Sequence, residues 1–148
     1  MKNVFLDTNI FIDFLAHRGD FYEPAALIVS LGIQDKIQLQ VSSLSFATAS
    51  YILSQHHKWN TSRIVREFES FIDICKITTV DETIVRQAVS APFIDFEDGM
   101  QHYSAMSFLS DFIITRNSDD FSESRITVME PNEFLDLWEQ EHQDELDE

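Results

Sequence analysis

The apolar residues of this chain form short runs that alternate with longer stretches of helical spacing. Residues 4–6 are all apolar, positions 37–41 alternate between apolar and polar, and apolar residues are frequent in 74–80, 112–115 and 127–129. Segments of this length, bounded by turn residues, predict β-strands, the last being the weakest. Apolar positions three and four residues apart predict helices at 10–15, 25–31, 44–53, 62–72, 82–89, 98–109 and 131–138.

Glycine, proline and the apolar spacing define these helices further. Gly32 is expected to end the second helix, and Pro131 stands at a helix start, where no backbone N–H is needed. The predicted apolar side of the fourth helix consists of Ile64, Val65, Phe68, Phe71 and Ile72. Strands and helices alternate throughout, which predicts a three-layer α/β/α sandwich with a central parallel sheet of four to five strands.

The chain length and its ends set the domain organisation. A chain of 148 residues fits one domain, predicted at residues 1–138, followed by an acidic, disordered tail at 139–148. Asp7 interrupts the first apolar run, so we expect no signal-peptide core, and no apolar run is long enough to span a bilayer. Cys75 is the single cysteine, which excludes an internal disulfide and is typical of a buried thiol. We therefore expect a cytoplasmic protein.

The charge of the chain narrows the function classes. The formal net charge is −16, and the six acidic residues of the tail leave −10 on the rest. A protein that simply coats nucleic acid is expected to be basic. Either the acidic residues cluster at a divalent-cation site, or the partner is a basic protein. With three glycines there is no Gly-rich phosphate loop, and the serines lack a nucleophile-elbow setting.

Acidic and amide residues follow several predicted strands. The carboxyl ends of parallel strands meet at one edge of a sheet, and ligands bind there. Asp7 and Asn9 follow the first strand, and Ser42 and Ser43 follow the second. The other polar residues expected at this edge are Asp95, Glu97, Asp98, Arg116, Asn117, Ser118, Asp119 and Asp120. Carboxylate and amide oxygens suit Mg²⁺ or Mn²⁺, so this edge is a candidate metal site.

Ordinary structural roles stay open for each of these residues. Asp7 and Asp98 both stand where a helix N-cap is expected, and Asp120 lies in a good turn sequence. Asp13 lies inside a helix, where a solvated position is the usual interpretation. His102 follows Asp98 by about one helical turn, so it lies either at the edge of the core or near the site.

Four segments resemble, in order and at suitable intervals, the motifs of the PIN-domain family. They are an apolar strand with Asp-Thr-Asn, Val-Ser-Ser-Leu-Ser-Phe-Ala, Asp-Phe-Glu-Asp-Gly-Met-Gln, and Ile-Ile-Thr-Arg-Asn-Ser-Asp-Asp-Phe. These segments stand at residues 4–13, 41–47, 95–101 and 113–121. Residues 128–135 are similar to the closing strand and Pro-led helix of that family, so the resemblance extends over residues 3–138.

The resemblance implies an acidic Mg²⁺ or Mn²⁺ site that hydrolyses RNA phosphodiesters. Carried over by position, Asp7, Asp95, Asp98 and Asn117 are the expected metal ligands, with Asp120 beside them in the catalytic site. Many bacterial members are toxins of the VapC type, which a small antitoxin holds inactive. A homodimer is also expected, since 13 phenylalanines supply apolar surface.

The chain departs from the family pattern at two positions. Thr48 stands where the second motif usually has Glu, and Asn117 replaces an Asp that is frequent in the fourth motif. A subgroup of the family shares the first difference. Residues expected to contact RNA or to support the ligands are Asn9, Ser43, Thr48, Arg116 and His102.

Three functions therefore stay open from the sequence. The first is a metal-dependent endoribonuclease that acts as the toxin of a toxin–antitoxin pair. The second is a catalytically weak or inactive PIN-like module that binds a basic protein. The third is a metal-dependent phosphohydrolase acting on a small phosphate ester or on DNA.

Overall fold

The computed structural model describes residues 1–93 and 95–143 of the chain. The strands are β1 (Lys2–Leu6), β2 (Ile37–Ser42), β3 (Cys75–Thr78), β4 (Phe112–Ile114) and β5 (Thr127–Met129). The helices are α1 (Thr8–Leu15), α2 (Tyr22–Ile33), α3 (Ser43–His56), α4 (Thr61–Ile72), α5 (Glu82–Val89), α6 (Phe96–Ser107) and α7 (Pro131–Glu141). Two short 3₁₀ turns lie at Gly19–Phe21 and Ser118–Phe121.

All five strands pair in parallel, in the order β3-β2-β1-β4-β5. The chain builds β1, β2 and β3 outward in one direction and then returns to place β4 against the other side of β1. The strand order therefore reverses between β1 and β4. In open parallel sheets the crevice at such a reversal, beyond the carboxyl ends of the strands, is where ligands bind.

Different helices cover the two faces of the sheet. Val4 and Leu6 lie in a large apolar cluster with residues of α1, α2, α3, α4 and α7. Phe5 lies in a second cluster with Ala105 of α6 and Phe121, and α5 packs against α6. Alternate side chains of a strand point to opposite faces of its sheet, so β1 is buried on both sides. The predicted three-layer sandwich with a parallel sheet is confirmed.

Two predictions about the helices were wrong. Gly32 does not end α2, which continues through Ile33, because its role is packing: a Cβ at this position would collide with the side chain of Leu39 in β2. Val65 is 54% exposed and Ile72 is 46% exposed. The buried stripe of α4 is therefore narrower than the apolar spacing indicated.

The last helix extends into the segment predicted as a tail. α7 begins at Pro131 as expected and runs to Glu141, while residues 144–148 of the predicted tail lie outside the described residues. Cys75 is half-buried, and burial raises the pKa of its thiol to about 12. None of the helices in the described ranges has the length and apolarity needed to cross a membrane.

Candidate functional site

A pocket of about 220 Å³ lies at the carboxyl edge of the sheet, where the strand order reverses. Its walls come from the ends of β1 and β4, the start of α6 and one face of α3. We call it the acidic pocket, and its lining residues are Asp7, Thr8, Asn9, Thr48, Ile52, Asp95, Glu97, Asp98, Gln101, Asn117 and Asp120. The described lining contains no Lys, Arg or His, so its carboxylates face one another without a cationic side chain among them.

Asp7 is the most tightly held carboxylate of the pocket. It ends β1 and is the N-cap of α1, with its side chain accepting from the Thr8 amide at 2.8 Å. The Thr115 hydroxyl donates to the other oxygen at 2.8 Å, and the Gln101 amide donates at 3.1 Å. The side chain is buried, and this burial raises its pKa to about 6, with repulsion from Glu97 and Asp120 adding to the rise. Asp7 is thus both a helix cap and part of the acidic pocket.

Asp98 contrasts with Asp7 because no described residue donates a hydrogen bond to its carboxylate. The N-cap of α6 is Asp95, which accepts from the Asp98 amide at 3.1 Å, so the capping role considered for Asp98 belongs to its neighbour. Burial raises the pKa of Asp98 to about 7, and the charges of Asp7, Asp95, Asp120 and Glu97 contribute to the rise. The Asp98 carboxylate is therefore held among like charges with no neutralising partner.

Gln101 lines the acidic pocket and was not predicted from the sequence as a site residue. Its amide nitrogen donates to Asp7 and, at 2.8 Å, to the Thr8 hydroxyl, while its oxygen accepts from Ser45 at 3.3 Å. Thr8 and Ser45 hydroxyls are themselves 2.7 Å apart. The residue follows Asp98 by three positions and so shares its helix face, which was the signal available. This buried network fixes the orientation of the Asp7 carboxylate.

The end of β4 is tied to the same network. The Thr115 hydroxyl, which donates to Asp7, also accepts from the backbone N–H of Asn117 at 3.0 Å. Asn117 then leads into the 3₁₀ turn at Ser118–Phe121 that carries Asp120. Asn117 and Asp120 are both exposed at the mouth of the pocket.

Thr48 lies opposite Glu97 across the pocket. The Thr48 hydroxyl donates to a carboxylate oxygen of Glu97 at 3.4 Å. The Glu97 carboxylate of α6 thus lies next to Thr48 of α3, the position that lacks an acidic side chain.

The structure brings seven of the ten candidate residues together in the acidic pocket: Asp7, Asn9, Thr48, Asp95, Asp98, Asn117 and Asp120. Ser43, Arg116 and His102 do not line it. Ser43 is exposed in the first turn of α3, where Ser42 is the N-cap. His102 is buried, 3.0 Å from the Ser124 hydroxyl, and burial together with Arg125 lowers its pKa to about 4.

Asp13 is buried, so its interpretation as a solvated helix position was wrong. Its carboxylate is fully enclosed and binds two guanidinium groups, at 2.8 Å to Arg18 and at 2.7 Å to Arg116. Arg18 also donates to the backbone oxygen of Asn9 at 3.3 Å. The three side chains tie α1 to the segment that follows β4, and the Arg116 guanidinium binds Asp13 while the residue does not line the acidic pocket.

The donor set of the acidic pocket fits a hard divalent cation. Within the described ranges no three His, Cys, Asp or Glu side chains converge into a ready-made metal cage. Mg²⁺ commonly keeps several waters and uses only one or two carboxylates, so such a cage is not required. Burial raises the pKa values of Asp7 and Asp98, and repulsion from the neighbouring carboxylates adds to each rise; a cation bound beside them would relieve that repulsion.

Comparison with known proteins decides the family. A family model described as the PIN domain matches residues 3–119. The chain belongs to the PIN-domain family. The resemblance seen in the four motifs is thereby confirmed. The acidic pocket is lined by residues of the first, third and fourth segments, together with Thr48 and Ile52 of α3.

The chain is similar to one curated ribonuclease and to chains of solved toxin–antitoxin complexes. It is 24% identical over 139 residues to Ribonuclease VapC1 of Aquifex aeolicus (strain VF5), covering 93% of this chain and 96% of the relative. A toxin–antitoxin complex from Klebsiella pneumoniae contains a chain with TM-score 0.64 and 19% identity, covering 86% of this chain and 97% of that one. A chain of VapBC2 from Rickettsia felis, in a complex bound to a promoter DNA fragment, has TM-score 0.63 and 15% identity, covering 86% of this chain and 98% of that one.

Proposed function

We propose that the chain is a divalent-metal-dependent endoribonuclease that hydrolyses RNA phosphodiesters. The observation that carries the proposal is the acidic pocket, in which at least five carboxylates surround a small volume without a cationic side chain in the described lining. Clustered carboxylates at the carboxyl edge of a parallel sheet suit a Mg²⁺ or Mn²⁺ site for phosphoryl chemistry. The similarity to a protein named Ribonuclease VapC1 supports RNA as the substrate.

Asp7, Asp98, Asp95 and Asn117 would hold the ion, and Asp120 stands beside them. When bound, Mg²⁺ or Mn²⁺ polarises the scissile phosphate and lowers the pKa of the attacking water. Asp7 has three hydrogen-bond donors, so it is a fixed ligand whose orientation changes little during the reaction. Asp98 has no donor among the described residues, so its carboxylate is free to orient the water that attacks phosphorus.

Glu97 supplies the carboxylate that is absent at Thr48. Its contact with the Thr48 hydroxyl holds it on the α3 side of the pocket, and its charge reaches both Asp7 and Asp98, since it contributes to the raised pKa of each. We therefore include Glu97 in the site, through the ion or through a water bound to it.

The biological role we propose is that of the toxin in a toxin–antitoxin pair. The Klebsiella and Rickettsia complexes combine a protein of this fold with a partner, which supports a small antitoxin as the partner here. A homodimer and a cytoplasmic location are consistent with this role and are part of the same proposal.

One observation favours a second function, a catalytically weak module that binds a basic protein. Thr48 and Asn117 remove two charges that PIN nucleases usually place at the site, and the net charge of −16 suits a basic partner. Calorimetric titration with Mn²⁺ distinguishes the two functions: a nuclease binds the ion at millimolar concentration or below, whereas the binding module does not.

Cleavage of labelled RNA tests the proposed function. We expect Mn²⁺- or Mg²⁺-dependent cleavage by the wild type and its loss in Asp7→Asn. A substrate panel with single-stranded DNA and a small phosphate ester in parallel tests the third function left open by the sequence. Cleavage that Asp7→Asn leaves unchanged, or that EDTA does not stop, would contradict the proposal.

A further inference from the structure

A second pocket, of about 410 Å³, lies at the same edge of the sheet. We call it the Phe21 pocket, and it is lined by Asp20, Phe21, Pro24, Arg116, Glu130, Pro131 and Asn132. Arg116 is followed directly by Asn117, which lines the acidic pocket. The two pockets are therefore neighbours along the edge, one beyond β1 and β4 and the other beyond β4 and β5.

The Phe21 pocket contains an arginine–aromatic contact that a buried carboxylate holds in place. The guanidinium carbon of Arg116 lies 3.9 Å from the centroid of the Phe21 ring, and the ring is 50% exposed. Asp13, which is fully buried, accepts from two nitrogens of Arg116, at 2.7 Å and 3.3 Å. Because Asp13 fixes the guanidinium, Arg116 is pre-organised against the ring. No described residue accepts from its remaining terminal nitrogen, Nη1.

We infer that the Phe21 pocket is a nucleobase subsite that holds a base of the RNA strand next to the phosphate in the acidic pocket. This inference rests on the proposed function. Proteins bind unstacked RNA bases on aromatic rings and arginine planes, and this pocket offers both in contact. The prolines complete an apolar wall, and a volume of 410 Å³ lies within the range of small-ligand pockets.

The polar part of the pocket favours bases that carry an amino group. The pocket lining contains Asp20, Glu130 and Asn132, whose carboxylate and amide oxygens are hydrogen-bond acceptors. Cytosine presents an amino group with two donor hydrogens where uracil presents a carbonyl oxygen, and at this edge uracil donates only through its ring N3–H. The subsite should therefore prefer cytosine to uracil. Asp20 and Glu130 both line the pocket, so charge alone also suits a basic side chain; the exposed Phe21 ring and the adjacent Arg116 guanidinium are what favour a nucleobase.

Equilibrium binding of short single-stranded oligocytidylate and oligouridylate, in Ca²⁺ buffer to neutralise the carboxylates, tests the subsite separately from cleavage. Phe21→Leu removes the aromatic face and keeps an apolar side chain, and we expect it to weaken oligocytidylate binding roughly tenfold. Phe21→Tyr keeps the ring and should bind like the wild type. Asp20→Asn should reduce the preference for oligocytidylate over oligouridylate.

Each result decides between the subsite and the proposed function. If wild type cleaves RNA and Phe21→Leu leaves both oligocytidylate binding and KM unchanged, the subsite is wrong and the nuclease stands. If Phe21→Leu weakens binding while the wild type cleaves no RNA, the subsite stands and the nuclease is wrong. A wild type that binds neither oligonucleotide overturns the subsite. A Phe21→Leu variant that loses only the binding of an arginine-rich peptide also overturns it and indicates a protein-docking pocket.

Discussion

Replacing Asp98 by Asn should stabilise the metal-free protein at neutral pH while it removes activity. The Asp98 carboxylate has no donor among the described residues, and burial together with four neighbouring carboxylates raises its pKa from 3.8 to about 7. Asn keeps the size of the side chain and removes the charge. The variant therefore relieves repulsion without breaking a hydrogen bond that the structure describes.

The pKa gives the size and the pH dependence of this gain. A rise from 3.8 to about 7 corresponds to about 4 kcal/mol when Asp98 is fully ionised. Asp98 is half-buried, so screening by water and salt reduces the gain to about 1–2 kcal/mol. Between pH 3.8 and about pH 7, the two pKa values of Asp98, the folded state binds more protons than the unfolded state. Wild-type stability is therefore lost as pH rises through this window, and the advantage of the variant grows until about pH 7.

Thermal unfolding in EDTA, at several pH values, measures the effect. For a chain of this size the expected gain raises Tm by about 3–6 °C at neutral pH. Asp119→Asn is the matched control, because Asp119 is exposed beside Asp120 and does not line the acidic pocket. Added Mn²⁺ should raise the Tm of the wild type and of this control more than that of Asp98→Asn. A Tm for Asp98→Asn at or below the wild-type value in EDTA would refute the charge-repulsion reasoning.

Three further results are expected. Burial lowers the pKa of His102 from 6.5 to about 4. As pH falls between these two values, the free energy of unfolding of the wild type, measured in urea, should therefore drop by up to about 3 kcal/mol relative to His102→Gln. Equal pH dependence of the two proteins would contradict this. Asp13→Asn should lower the free energy of unfolding by about 3 kcal/mol in the same urea measurement. Glu82→Gln, which breaks an exposed ion pair, should lower it by less than about 1 kcal/mol. Equal losses would contradict a stabilising role for the buried Asp13 charge. Gln101→Leu should lower kcat about tenfold or more at saturating Mn²⁺, and an unchanged kcat would show that Asp7 needs no positioning.

The sheet and the position of Asp7 could be predicted because local rules agree with the tertiary structure. Val4–Leu6 is an apolar triplet buried on both faces, which a central parallel strand requires. A polar residue at the end of such a strand lies at the carboxyl edge wherever the strand is placed. The same reasoning located Asn117 after β4, and both residues line the acidic pocket.

Gln101 and His102 show what the sequence could not resolve. Residues three and four positions after Asp98 lie on either side of it on the helix surface. Which of the two faces the pocket depends on the rotation of α6 about its axis, and packing against the sheet and α5 sets that rotation. In the structure Gln101 faces Asp7, and His102 packs against Phe93 with a ring-centroid distance of 5.0 Å.

The burial of Asp13 could not be predicted because one of its two arginine partners is distant in the chain. Arg116 is 103 residues away, and only the docking of α1 beside the end of β4 brings the two together. A buried carboxylate with two arginines has no local sequence signature, since an Asp inside a helix is ordinarily exposed. Arg116, which was expected to contact RNA or to support the ligands, instead binds Asp13 and lies over the Phe21 ring.

Cleavage of total cellular RNA across a Mn²⁺ titration tests the proposed nuclease most directly. Wild type, Asp98→Asn and Asp119→Asn are compared at equal concentration after folding has been confirmed. We expect cleavage by the wild type and Asp119→Asn that rises with Mn²⁺, and a loss of about 100-fold or more in Asp98→Asn, because that carboxylate orients the attacking water. Asp98→Asn cutting as fast as the wild type, or a folded wild type that cuts no RNA at any Mn²⁺ concentration, would contradict a metal-dependent ribonuclease centred on Asp7 and Asp98.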